Sequence, residues 1–434
     1  MSPDRTPGTV GVVVPHFDDP RRLDLVLTGL ELQRLPKGVT LDVVVADDGS
    51  PTRPDPGPRP YPVRVVAQPD RGFRAAAARN LGAAATDAEF LVFLDADTVP
   101  EPGYVGALLA AVAPATSSDP PADLVVGRRR HADLSRFGPT ELRAWFAGGP
   151  APAEFEEPAW LRDAYRRTEN LRTAGPDAYR FVISAVLGVR RETFDVVGGF
   201  EEEFVGYGGE DWEFAHRCWN SGAEFRHVPT AVAWHDGPDF AGRDLDARRA
   251  RNQEGLTLAR FVPDPLARGT GLVWDVPDVV VTLDDTGADP ADVVACVADL
   301  LRGTDAAVWL FEGGAADRLR DPRVHVGPVP ADLLRRSRFL AEVDTPVRLV
   351  GAGLRDLTDL VDRGPVSVGE HLRVHRTRDL ARAGLGRADR AEACPAPAGV
   401  SARPARDTDL QREWGHAEHR RQDALTGRCG PRPG

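Results

Sequence analysis

The sequence predicts an α/β fold with a Rossmann-like, mostly parallel central sheet and flanking helices, then a smaller α/β domain and a disordered tail. Three observations predict it. Residues 9 to about 110 alternate short apolar runs with helix-like segments, the pattern of a parallel sheet. Several of those runs end in acidic or turn residues, where open α/β sheets bind ligands. From about residue 386 the text is dominated by Ala, Pro, Gly and Arg, too little apolar matter to support a core. The divisions expected are 1–265, 270–385 and 386–434.

"TVGVVVPHF" reads as a strand ending at Pro15, and "DPRRLDLVLTGLELQRLP" carries Leu23, Val26, Leu27 and Leu30 at helical spacing. "LDVVVADDGS" is a second strand, closed by Asp47, Asp48 and a turn. The proline-rich "PTRPDPGPRPYP" cannot be helix. "VRVVAQPD" is a third strand, "FRAAAARNLGAAA" a strong helix former, and "LVFLDADTVP" a fourth strand ending in Asp95 and Asp97. Residues 111–180 look irregular, with helical patches, and the arginine run Arg128 to Arg130 within them reads as a solvated stretch. "YRFVISAVLGVRRETFDVVGGF" is a strand running into a short helix. "EDWEFAHRCWNSG" is an amphipathic helix stopped by Gly222, and "AEFRHVPTAVAWHDG" gives two strand-like pieces. Near 273 a second unit opens with "VPDVVVTLDDTGADPADVVACVADLLRG", which faintly echoes the first strand and helix but lacks a following Asp-x-Asp.

A net charge of −12 argues against nucleic acid as a partner. The four cysteines are scattered and form no metal-type pair, which suits a reducing compartment. No apolar run reaches the roughly 18 residues that span a bilayer, and the N-terminus lacks a signal-type stretch, so the expected location is cytoplasmic.

The chemistry concentrates in four places. Asp95 and Asp97 on alternate residues at a strand end could grip a divalent cation through oxygen; the plainer alternative is a loop in which they bond backbone N–H groups. A carboxylate of the Asp47–Asp48 pair could accept from a nucleobase ring N–H, or stabilise a turn. Two diglycines, Gly198-Gly199 and Gly208-Gly209, flank an aromatic, acidic loop that runs into Glu210 and Asp211 at a helix start. Asp211 there suits a base that deprotonates a hydroxyl group. His235 follows an apolar strand and could give a nitrogen ligand to a cation held by Asp97.

In order, these residues resemble the GT-A glycosyltransferases of family 2. "VVVPHFD", "VVADDGS", "DRGFRAAAARNLG", "DAD" and "GGFEEEFVGYGGED" follow that family's motifs from residue 9 to about 240. The last takes the form shared with chondroitin-polymerase-like and galactosyltransferase-like members. The resemblance implies an inverting hexosyltransferase that uses a nucleotide-sugar donor, usually a UDP-sugar, with Mn²⁺ or Mg²⁺, and a saccharide or other hydroxyl acceptor. It implies Asp48 at uracil, Pro15 and Phe17 lining the base pocket, Arg79 near ribose or diphosphate, and Asp95 towards the donor. Asp97 would bind the metal, joined by His235, with Asp211 as catalytic base and Glu210 shaping the acceptor site. Two departures stand out: Val186 lies near an expected Asn, and "PHF" replaces the commoner "PTY". For the second unit, acceptor binding, homo-oligomerisation and a degenerate GT-A-like copy stay open, the last two preferred.

Two rivals remain. "LVFLDADTV" also fits the haloacid-dehalogenase pattern, with Asp95 as a phosphatase nucleophile, although that pattern usually opens its domain and leaves "GGED" unexplained. The other is a non-catalytic nucleotide-sugar-binding protein.

Overall fold

The structure, a computed structural model, describes residues 8–113, 120–238, 245–361, 364–385, 394–408 and 410. It divides into two compact units, Met1–Val262 and Pro263–Gly434.

The strands of the first unit are β1 (Thr9–His16), β2 (Thr40–Asp47), β3 (Val63–Ala67), β4 (Phe90–Leu94), β5 (Thr98–Pro100), β6 (Leu124–Ala132), β7 (Glu154–Phe155), β8 (Val186–Arg190) and β9 (Phe225–Asp236). Its helices are α1 (Pro20–Glu31), α2 (Ala75–Ala84), α3 (Tyr104–Val112), α4 (Pro139–Phe146), α5 (Ala159–Arg167), α6 (Arg191–Val197), α7 (Glu210–Asn220) and α8 (Leu245–Phe261). The sheet runs β3-β2-β1-β4-β8-β6-β9-β5, with β7 on β6. β3, β2, β1 and β4 are mutually parallel, and β8 is antiparallel to β4 and β6. The mostly parallel α/β sheet with flanking helices expected from the sequence is the one adopted.

The parallel strands are apolar on both faces because helices cover both: Val10, Val12, Val13 and Val14 of β1 and Phe90 to Leu94 of β4 are wholly buried. Asp19 caps α1 by accepting from the Arg22 N–H, and Pro20 fills its first turn. Helix α2 can lie close on β1 because Gly82 faces it; a Cβ there would collide with Val13 and meet Ala46 at 3.2 Å.

Two local readings change. The stretch that looked irregular holds β6, an interior strand between β8 and β9. Its polar half, Arg128 to His131, masked it from an apolar-run criterion. "AEFRHVPTAVAWHDG" is a single strand, β9, whose pairing with β6 shifts register between Gly127 and Arg128. This irregularity looks like a break in one dimension.

The second unit contains β10 (Val279–Leu283), β11 (Ala306–Leu310), β12 (Val324–Val326), β13 (Phe339–Val343), β14 (Val347–Val350), β15 (Val366–Val368), β16 (Leu372–Arg376), β17 (Cys394–Pro395) and β18 (Ser401–Pro404). Helices α9 (Pro290–Leu301), α10 (Ala331–Arg336), α11 (Leu354–Thr358) and α12 (Thr377–Gly384) join them. Its larger sheet runs β12-β11-β10-β13-β16-β15-β17. The tail expected to be disordered is ordered in part: Cys394–Pro395 pairs with β15 and Ser401–Pro404 with β14. β15, at the end of the larger sheet before β17 joins it, and β14, in a two-stranded sheet with β18, pair with a segment whose composition alone forecast no strand. The rest of that tail, 386–393, 409 and 411–434, lies outside the described residues. Among the described residues no helix is long and apolar enough to cross a membrane.

Gly82→Val should lower unfolding stability by about 1–3 kcal/mol, the cost of overpacking a filled core, read as a reduced midpoint in denaturant with α-helical content retained.

Candidate active site

The carboxyl ends of β1, β2 and β4 and the end of β9 open onto a cleft of about 600 Å³. Pro15, Phe17, Asp48, Arg79, Asp95, Asp97 and His235 all line it. These seven come from five stretches of the sequence, brought to one edge because parallel strands present their carboxyl ends on the same side.

Asp97 and His235 meet across the β5–β9 pairing. Thr98 lies opposite His235 in that ladder, and the Asp236 N–H donates to the Asp97 carbonyl at 2.8 Å. His235 Nε2 then sits 3.3 Å from Asp97 Oδ2. The His235 Nδ1 faces the Gly237 carbonyl at 3.2 Å. A proton on Nδ1 leaves Nε2 free as a ligand, the usual orientation device for metal-binding imidazoles. Burial disfavours the charge of both groups, yet their mutual bond prevails: Asp97 is held below the ordinary carboxylate range and His235 is raised. Carboxylate oxygen plus imidazole nitrogen is a donor set suited to Mn²⁺ or Mg²⁺ when substrate oxygens and water complete the shell. Among the described residues no three His, Cys, Asp or Glu side chains gather as a self-sufficient metal cage.

Arg79 is almost fully buried, and its guanidinium bridges Asp95 at 2.8 Å and Glu210 at 2.9 Å. Burial opposes its charge, but the two carboxylates outweigh that and keep it protonated. It therefore lines the cleft while its head is committed to two acids. Asp48 is buried and accepts from Gln68 Nε2 at 2.6 Å and the Arg74 N–H at 2.7 Å. Asp47 instead closes the turn, accepting from Ser50.

Glu210 and Asp211 are not among the lining residues; Glu210 is tied to the cleft through Arg79, and Asp211 follows it in the chain. They occupy the first turn of α7, whose N-cap, Gly209, has φ +89°. Gly208 has φ +93°, and a Cβ on it would meet the Glu254 carboxyl of α8 at 2.7 Å. The second diglycine is thus demanded by backbone geometry and by close packing. The first is anchored elsewhere: Asn80 of α2 accepts from the Phe200 N–H at 2.8 Å and donates to its carbonyl at 2.9 Å. Desolvation and the adjacent Glu210 carboxylate push Asp211 up to about 7, against the pull of Arg79 and of the Trp212 and Ser184 N–H groups. A carboxyl poised there can take a proton near neutral pH.

Residues 11–192 match the model of glycosyl transferase family 2, and residues 171–235 match that of the N-terminal domain of galactosyltransferase. The likeness to glycosyl transferase family 2 therefore lies within the first unit. Hyaluronan synthase of Pasteurella multocida is 27% identical over 273 residues, 58% of this chain and 27% of that protein. Validoxylamine A glucosyltransferase of Streptomyces hygroscopicus subsp. limoneus is 34% identical over 229 residues, 48% of this chain and 47% of that protein. The chain therefore spans between about a quarter and a half of these curated relatives. A solved mannosyltransferase, PcManGT from Pyrobaculum calidifontis in complex with GDP-Man and Mn²⁺, is 21% identical with TM-score 0.41, covering 61% of this chain and 68% of that one.

The first unit also brings to the cleft His16, Arg22, Phe73 and His131, which sequence reasoning passed over, and Arg129, which it read as part of a solvated stretch. Arg22 donates through Nε to Asp236 at 2.9 Å. His131 packs on His235 with ring centroids 5.0 Å apart. "GRRRHA" has no apolar–polar alternation to show which of its polar side chains face the cleft.

Because Glu210 raises Asp211, Glu210→Gln should move the Asp211 carboxyl below 7, and Arg79→Met, which deletes a cation that lowers it, should move it above. Carboxyl-carbon NMR titration reads both directions without any substrate.

Proposed function

We propose that the first unit transfers a hexosyl group from a nucleotide-sugar, a UDP-sugar by the family resemblance, to an acceptor hydroxyl with inversion at the anomeric carbon. The observation that carries this reading is a shared edge: the Asp97–His235 pair and the Asp95–Arg79–Glu210 chain leading to Asp211 meet at one cleft. A phosphatase built on Asp95 would need that carboxylate as a nucleophile, whereas it is bonded to a buried guanidinium.

In this reading Asp48, Pro15 and Phe17 hold the base, and Asp97 and His235 hold Mn²⁺ or Mg²⁺. That cation, when bound, would offset charge developing on the departing diphosphate. Asp211 takes the acceptor hydroxyl proton while that oxygen forms its bond to the anomeric carbon. The bond from that carbon to the diphosphate oxygen breaks on the opposite face, and the electron pair leaves with the nucleoside diphosphate. Glu210 serves twice, raising Asp211 into the useful range and holding Arg79 against Asp95. The second unit is accessory in this proposal: Pro346 falls two residues after its strand-ending Asp344, where β4 is followed by Asp97.

Asp211→Asn should reduce transfer by about 10²–10⁴, the usual share of general-base catalysis, while circular dichroism stays unchanged. Transfer by the unsubstituted chain should fall about tenfold per pH unit below 7 and level off above it, since the base acts only when ionised. Asp97→Ala should abolish divalent-dependent release of UDP. Undiminished transfer by Asp211→Asn would remove that residue from its role.

A further inference from the structure

We propose that a cavity in the second unit binds a neutral saccharide. This deepens the transferase reading above, because it gives the acceptor class a holding site of its own in that unit. The cavity measures about 830 Å³, within the range of roughly 300–1,000 Å³ for small-molecule sites. It lies at the amino ends of β10, β11 and β12, where Asp278, Asp305 and Arg323 immediately precede the strands. The stretch 263–278 walls it on the way into β10.

Its aromatic lining is Trp274, Trp309 and His325. Trp309 and His325 are partners in the parallel β11–β12 ladder, so their side chains share a face, and the rings stack with centroids 4.6 Å apart. Trp309 is buried among Val280, Ala307 and the leucines of α10. β12 is the edge strand of the sheet, so no further strand covers the outer side of His325, which is exposed. The tryptophan thus fixes the ring that the histidine presents. Trp274 adds a third ring, whose indole N–H is shut off from water and meets no acceptor among the described residues. A buried donor without an acceptor is a cost that a ligand oxygen would relieve.

The charged lining is balanced, with four arginines and five aspartates. Arg338 donates through Nε and Nη2 to the two Asp278 oxygens at 2.7 Å each. Arg268 pairs with Asp305 and donates to the Val276 carbonyl at 2.7 Å. Such pairing fixes the side chains and cancels most of their field. A guanidinium only donates and an ionised carboxylate only accepts, with about four lone-pair sites on its two oxygens. Having both side by side matches sugar hydroxyls, which donate and accept at once. A phosphate needs donors alone and an ammonium acceptors alone, so neither suits this lining. The apolar C–H face of a sugar ring then has the exposed imidazole of His325 to lie on.

The test is calorimetric titration of the full chain, without nucleotide or metal, with cellotriose, maltotriose and triacetylchitotriose. At least one should bind. His325→Ala and Trp274→Ala should each weaken it about three- to tenfold, the loss of one aromatic contact, and Trp274→Phe should weaken it less than Trp274→Ala. Both alanine variants should bind UDP with Mn²⁺ as the unsubstituted chain does. The His325 side chain is exposed, so its removal keeps the test readable if Trp274→Ala lowers stability. Excess inorganic phosphate should not displace the trisaccharide. The saccharide site is overturned, and the transferase reading left standing, if a chain that binds UDP takes none of the three sugars. Binding indifferent to both alanine variants, or displaced by phosphate, overturns it equally. A chain that holds a trisaccharide as expected but no UDP overturns the transferase reading instead, and one that binds neither overturns both.

Discussion

One buried guanidinium holds the site together. Arg79 enters from α2, meets Asp95 at the end of β4 and reaches Glu210 at the start of α7. A charge so enclosed is tolerable only with partners on it, and the two acids would repel each other without it. The constraint runs both ways. Asp95 and Glu210 keep the guanidinium charged, and Arg79 tempers the negative field that lifts Asp211 to about 7. Everything the site can do with a proton depends on this unequal ratio of acids to cations.

The loop before α7 shows how backbone restrictions become chemistry. Gly206, Gly208 and Gly209 all have positive φ, a region closed to most side chains. The Gly206 N–H docks on the Phe73 carbonyl at 2.9 Å, so the loop is fastened to the segment entering α2. Tyr207 and Phe73 face each other with ring centroids 6.2 Å apart, and both rings are more than half exposed. These glycines turn the chain and leave room for the Glu254 carboxyl.

The second unit repeats the strand order of the first. β12-β11-β10-β13 is a parallel run continued by antiparallel β16 and then β15, as β3-β2-β1-β4 is by β8 and β6. Even the register agrees: Phe339 faces Arg376 as Phe90 faces Arg190, and each arginine is the residue just before the helix that follows. Asp289 caps α9 ahead of Pro290 as Asp19 caps α1 ahead of Pro20. The chemistry differs. Asp285 turns inward to accept from the Glu312 and Gly313 N–H groups at 2.8 and 2.9 Å, closing a strand end that in the first unit opens on the cleft.

By itself the sequence determined the alternating strands and helices, because apolar periodicity and caps are local properties. It also determined the ordered series of acidic strand ends, since a strand's last residues are adjacent in the chain. Only the tertiary structure decided that β6 is an interior strand, because its polar half makes sense only against Glu154, Glu157 and Trp234. It alone decided that Arg129 turns into the cleft while its two neighbours turn away, and that Arg79 is a buried bridge. Burial and partner choice depend on residues remote in sequence, and no window along the chain contains both ends of such a contact.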